Sequence, residues 1–199
     1  MIQRTEKRVQ ELIELADEHL RNAGGDPVVA WASLPEEMLE VIDAEIRRCR
    51  RDFRYYCANY HIIRNDAQGL SVLWPLWDSQ ELFLEILETT RSKTGKAQLI
   101  VLKARQLGVS TISEALVFHR TIFNPGMNTL IVAQDPGQAD YLFEMSRLAY
   151  DMLPWWMRPE SRYDQKGRLL VFDRRDEADR LVNPGLRSQI FVEAANKMT

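Results

Sequence analysis

Cysteine is almost absent from this sequence: among 199 residues only Cys49 and Cys57 carry a thiol. Two thiols eight positions apart fit neither a zinc-ligand nor a redox spacing, which leaves buried free cysteines in a reducing, cytoplasmic setting. Histidine is as scarce, and His19, His61 and His119 are too scattered for a metal-ligand set. No apolar run reaches the length that crosses a bilayer, and the opening Met1 to Glu6 lacks the apolar core of a signal peptide. Low-complexity tracts and internal repeats are missing, which excludes fibrous and solenoid architectures. An excess of positive charge is missing too. The 26 Lys and Arg are outnumbered by 29 Asp and Glu, for a formal net charge of −3. A protein that binds nucleic acid over its whole surface is usually basic, so any such contact is local or lies outside the chain. What is present is an ordinary globular composition, 45% hydrophobic and 28% charged, with length for one domain or one and a half.

Residues 1–58 read as helical. Val9, Leu12, Ile13, Ala16 and Leu20 share one face of a helix over about 5–23, which Gly24-Gly25 ends. Gly24 to Ala32, containing Pro27, reads as a connector. Ser33 and Glu36 form a capping box that predicts a second helix from Ser33 to about Tyr56. Met38, Ile42, Ile46, Cys49, Phe53 and Tyr56 are its buried stripe. The opposite face carries Arg47, Arg48, Arg50, Arg51 and Arg54. That row is either a contact for DNA or an acidic partner, or a solvated face balanced by neighbours such as Glu40, Asp43 and Glu45; the density of acids favours the second.

From residue 59 the pattern changes. Asn65-Asp66 and Gly69 mark turns around a short apolar piece, Leu70 to Leu73. A helix beginning at Asp78 or Ser79 runs to about Thr90, followed by a polar turn, Arg91 to Lys96. Strand and helix patterns then alternate: a buried strand at Leu99–Leu102, a helix at Ser110–Phe123, a strand at Thr129–Ala133 and a helix at Pro136–Met152. Two further strands are predicted at Arg168–Phe172 and Gln189–Val192, with Asp173 to Ser188 as a charged exposed loop between them. This alternation predicts an α/β fold over 59–199, a mostly parallel sheet flanked by helices with right-handed crossovers.

Lys103-Ala104-Arg105-Gln106-Leu107-Gly108-Val109-Ser110-Thr111 lies between a predicted strand and a predicted helix. A phosphate loop stands at such a place, because loop N–H groups and a helix N-terminus together hold an anion. Against the pattern G-x-x-x-x-G-K-[ST], Gly108 takes the second glycine and Ser110 the hydroxyl, but Lys103 replaces the first glycine and Val109 the lysine. A loop folded around its anion can receive a long cation from either end. Lys103 would then supply the missing charge, Arg105 a second cation, and Ser110 a hydroxyl for Mg²⁺. By spacing alone the segment is equally a tight strand–helix turn with two surface cations. Gly95-Lys96 is a decoy, since Ala97 follows where Ser or Thr is needed.

The stretch Lys103 to Thr111 resembles the deviant Walker A loop of the large terminase subunits of tailed bacteriophages, often written R-Q-x-G-x-[ST], with the lysine sometimes displaced to its beginning. Upstream, Leu76-Trp77-Asp78-Ser79-Gln80 is similar to that family's adenine-recognition segment, where a glutamine, here Gln80, pairs with N6–H and N7 of the base. Downstream, Thr129 to Asp135 with Gly137-Gln138-Ala139, and the course from Asp151 to Lys197, also follow the family. The resemblance spans roughly 53–199, and the loop with Gln80 is its specific part. It implies a P-loop, RecA-like fold and the ATP-binding part of a motor that drives double-stranded DNA into a procapsid. It further implies Lys103 and Arg105 as catalytic cations, Gln80, Gln106, Gly108, Val109, Ser110 and Thr111 as nucleotide ligands, and Mg²⁺ on Ser110. The partners implied are the portal protein of the procapsid, the small terminase subunit and further copies in a ring, in the host cytoplasm and without a membrane.

An ATPase of this type also needs four apolar residues followed by an Asp for Mg²⁺ and a Glu to activate water. Leu169 to Asp173 has the run and the Asp, but Arg174 follows; Leu130 to Asp135 displaces the Asp, and Pro136 follows. The resemblance puts that strand, and a nuclease, beyond Thr199, so the chain is expected to hydrolyse little ATP by itself. Two other readings stay open: a helicase-like, nucleic-acid-stimulated ATPase, and a non-catalytic interaction module whose loop binds nothing and whose arginine-rich helix docks a partner.

Overall fold

A computed structural model describes residues 2, 4–65, 69–161, 168–174 and 185–195. The helices α1 (Lys7–Asn22), α2 (Pro27–Ala32), α3 (Glu36–Arg51) and α4 (Phe53–Asn59) come first, then the hairpin strands β1 (Ile62–Asn65) and β2 (Gly69–Val72). They are followed by α5 (Asp78–Thr94), α6 (Val109–Phe123), β3 (Asn128–Ala133), α7 (Pro136–Asp151), β4 (Leu169–Phe172) and β5 (Ser188–Ala194). Helix α1 buries the expected face through Val9, Leu12, Ile13 and Ala16.

Three local expectations give way to side-chain chemistry. The connector holds a short helix, α2, because the Asp26 carboxylate accepts from Val28 N at 2.8 Å and Val29 N at 3.3 Å, with Pro27 at the first helical position. Ser33 is not an N-cap: its hydroxyl donates back to Ala30 O at 2.8 Å, and α3 starts after Pro35. The long second helix is two helices, broken at Asp52, whose carboxylate accepts from Tyr55 N at 2.8 Å and so opens α4.

The arginine row is largely engaged. Arg48 pairs with Glu6 at 3.0 Å and stacks on the Tyr55 ring, Arg47 pairs with Asp43, and Arg54 bridges Glu81 at 2.8 Å and Glu88 at 2.9 Å on α5. Beneath it, buried Glu45 accepts from the Tyr55 and Tyr60 hydroxyls at 2.5 and 2.8 Å.

The main sheet has the order β3-β5-β4, with β3 parallel and β4 antiparallel to β5. With one parallel and one antiparallel pair, this three-stranded sheet is mixed. The strand expected at Leu99–Leu102 is not formed. Ile100 and Leu102 stand fully exposed, and a hollow of about 550 Å³ lined by Leu99, Val101, Leu130 and Val132 separates this extended segment from β3. Apolarity signals that a segment can pair; a strand also needs a neighbour at hydrogen-bonding distance.

One buried cluster runs from Val9 and Ile42 through Tyr56, Ile112 and Phe118 to Ile190 and Val192, so α1, α3 and α4 share a core with the sheet. Among the described residues no helix is long and apolar enough to cross a membrane.

Candidate functional site

The segment Lys103 to Thr111 turns into α6 through two left-handed residues, Gln106 at φ 61° and Gly108 at φ 66°. Gly108 is the N-cap residue of α6 and brings no side chain to the task. Among the described residues nothing accepts from the N–H groups of Val109, Ser110 or Thr111. These are the free donors of a helix start, and the helix dipole adds a partial positive charge there.

Helix α5 holds the loop from behind. Ser79 Oγ donates to Leu107 O at 2.8 Å, and Gln80 Nε2 donates to Gly108 O at 3.1 Å. Gln80 Oε1 accepts from Trp77 N at 3.0 Å, and the side chain is buried. Gly108 is needed for closeness as well as for its backbone angle. A Cβ there would come within 2.6 Å of Gln80 Nε2 and 3.1 Å of the Trp77 ring.

The sequence-derived residues are therefore contiguous at one corner: Gln80 touches the loop, and Gly108, Val109, Ser110 and Thr111 form the turn into α6. Lys103, Arg105 and Gln106 are exposed on the loop before it. Ser110 and Thr111 line different hollows. Thr111 lines a cavity of about 830 Å³ between α6, α7 and the β1–β2 hairpin, while Ser110 lines the 550 Å³ hollow beside β3. Trp74 and Trp77, both well exposed, stand at the larger cavity.

Three residues that the sequence reading passed over sit below this corner. Glu114, one turn along α6 from Thr111, is 3% exposed and accepts from Ser146 Oγ at 2.7 Å. Its Oε2 lies 3.7 Å from Nε2 of His61, itself 1% exposed. Both Glu114 and His61 line the larger cavity. Burial pushes Glu114 up to about 7 and His61 down to about 3, the latter helped by His119. At neutral pH the imidazole is uncharged and the contact is not an ion pair. One signal for Glu114 was available: a carboxylate among Ile112, Ala115 and Phe118 on the apolar side of a helix.

No protein-family model matches the chain, and no curated protein matches it.

The corner brings together free N–H groups, a helix N-terminus and two loop cations, the kinds of group that attract an anion. For a metal it offers less. Among the described residues no cluster of three His, Cys, Asp or Glu could hold an ion. Asp135 caps α7 by accepting from Gln138 N at 3.0 Å, and Asp173 accepts from Arg174 N at 2.9 Å. Ser110 or Thr111 would offer Mg²⁺ a single hydroxyl.

Proposed function

We propose that the chain is the ATP-binding part of a DNA-packaging motor of the large-terminase kind, holding the nucleotide's phosphates at the start of α6. The observation that carries this reading is the Gly108 turn: an uncapped helix N-terminus opened by a loop with two cations and fastened from behind by Ser79 and Gln80. Lys103 and Arg105 neutralise the phosphates, and the hydroxyl of Ser110 or Thr111 would hold Mg²⁺, which would supply further neutralisation of phosphate charge. Translocation of double-stranded DNA and contacts with a portal, a small subunit and further copies in a ring follow from the resemblance of the loop and Gln80. Strand-separation and packaging assays distinguish this motor from a helicase-like ATPase.

The second reading, an interaction module, is favoured by one feature, the exposed apolar segment Leu99–Leu102 beside the loop. Equilibrium titration with a fluorescent ATP analogue separates the two. Lys103→Ala is expected to weaken binding about tenfold or more, as loss of a charge-assisted contact does, and Lys96→Ala to have little effect. Equal effects from the two changes, or no binding by the parent chain, would overturn the proposal.

A further inference from the structure

The arginine row of α3 is not engaged to its end. Among the described residues, exposed Arg50 and Arg51 form no ion pair. Neither do exposed Arg91 and Lys93 in the last turn of α5, nor half-buried Arg120 in the last turn of α6. These three helix ends meet. His119 Nε2 lies 2.8 Å from the carbonyl of Cys49 in the last turn of α3, and the Phe53 ring packs edge-on against the His119 ring. Arg54 reaches across to Glu88, about one turn before Arg91. Helices α5 and α6 lie side by side from the Gln80–Gly108 bond onward, which brings Arg91 close enough to Arg120 to repel it. Burial and this repulsion both push the Arg120 guanidinium down.

Cations in a last turn answer the partial negative charge of a helix C-terminus, which accounts for each helix taken singly. It does not account for three such ends in one place, since like charges brought together repel. Carboxylates beside them are already engaged: Asp52 accepts from Tyr55 N, and Glu81 and Glu88 hold Arg54. In a chain of net charge −3, this end carries a local surplus of positive charge. Among the described residues, no large apolar side chain is exposed in any of the three last turns. A protein partner would need an apolar centre there, whereas a nucleic-acid interface is polar and strongly positive. We propose that the joined ends of α3, α5 and α6 form a contact for the sugar–phosphate backbone of a nucleic acid. Arg51, Arg91 and Arg120 meet phosphates, each guanidinium fork offering parallel N–H donors, and no base is read. The surface is separate from the phosphate corner, because Arg120 lies about three turns along α6 from Val109, on the order of 16 Å. It holds whether or not the loop binds ATP.

The experiment follows the fluorescence anisotropy of short labelled duplexes of DNA and of RNA, two sequences of each, titrated with the 199-residue chain. Affinity should be alike for the two sequences and should fall steeply with salt. Four phosphate contacts predict about a hundredfold loss between about 50 and 200 mM. Arg51→Glu with Arg91→Glu should weaken binding about tenfold or more and flatten the salt dependence, while affinity for a fluorescent ATP analogue is unchanged. The same charge change placed at exposed Arg21 of α1 and Arg64 of β1 should have a much smaller effect. Arg51→Gln with Arg91→Gln is the test if the reversed variant does not fold. A preference for DNA or for RNA identifies the nucleic acid and supports the surface either way. Absence of salt-dependent binding, discrimination between the two sequences, or equal losses from the two double reversals overturns the proposal. So does displacement of the duplex by polyglutamate at a lower charge concentration than by unlabelled duplex, which would make the partner an acidic protein. ATP-analogue binding without duplex binding overturns this proposal alone. Duplex binding without ATP-analogue binding supports it and overturns the phosphate loop.

Discussion

Glu114 is a carboxyl whose surroundings prefer it uncharged, and that preference has a pH signature. Its value rises from 4.5 to about 7 because burial penalises the anion. The folded state thus holds the proton more tightly than the unfolded chain, so this contribution is complete below about 4.5 and is lost as pH rises through 7. His61, lowered to about 3, and His119, lowered to about 4, act in the opposite sense. Burial keeps both imidazoles neutral, so their contribution is present above about 6.5 and is lost as pH falls. Glu114→Gln removes only the alkaline-side loss. Urea unfolding should show the variant more stable than the parent at pH 8 by about 3 kcal/mol, the worth of the shift, and little different at pH 4.5. A pH-independent difference would show that folding leaves the Glu114 carboxyl unshifted.

Gln80 makes the complementary prediction. Because its amide ties Trp77 N to Gly108 O, Gln80→Ala should weaken tripolyphosphate binding about three- to tenfold, the effect of one lost hydrogen bond. A side chain that only reads a base would leave a ligand without a base unaffected, so unchanged tripolyphosphate affinity would argue against the fastening role. The turn at Gly108 was legible in sequence because its spacing states a local geometry, whereas Gln80 stood out there as a base reader and its bond to Gly108 O was not foreseen. The partnership of Glu114, His61 and Ser146 was not, since three separate elements meet there and no short spacing encodes it.

At the scale of elements, most helices were readable from the 3.6-residue period, and the errors fell where one polar side chain decides. Asp26, Ser33 and Asp52 each offer the backbone a competing bond, and each shifted a boundary. The segment Leu99–Leu102 erred for another reason: its apolarity was read correctly and its burial was not. With Ile100 and Leu102 exposed beside the open edge of β3, the chain presents what sheet proteins usually cover or charge. Ile100→Lys with Leu102→Lys is expected to reduce self-association at high concentration in sedimentation velocity, while changing the melting temperature little. Loss of the folded state in this double variant would mean that the two side chains are packed in solution.

For the molecule as a whole, the boundary at residue 58 marks a change in sequence style but not a break in the core. Trp155 Nε1 donates to Ala16 O at 3.2 Å, and His119 Nε2 meets Cys49 O at 2.8 Å, both across that boundary. Removing residues 1–58 would strip these partners from two donors and uncover the rings of Trp155, His119 and Phe123, which pack on Trp31 and Tyr56. Each orphaned donor costs about 1–3 kcal/mol, a large share of the ~5–15 kcal/mol that keeps a domain folded. The 59–199 chain is therefore expected to lack a cooperative melt and a near-ultraviolet circular dichroism signal. A sharp transition in that fragment would restore the two-unit division suggested by sequence.

The central strand of the main sheet is also its last in chain order. β3 and β4 each pair with β5, so neither gains a partner in that sheet until Ser188–Ala194 exists. On a ribosome adding about 5–20 residues per second, β3 would wait on the order of several seconds for its neighbour. Through that interval Leu130, Ile131 and Val132 belong to a nascent chain with no sheet to join. A holdase chaperone that recognises short apolar extended segments would find its target there, upstream of the stretch whose synthesis ends the wait.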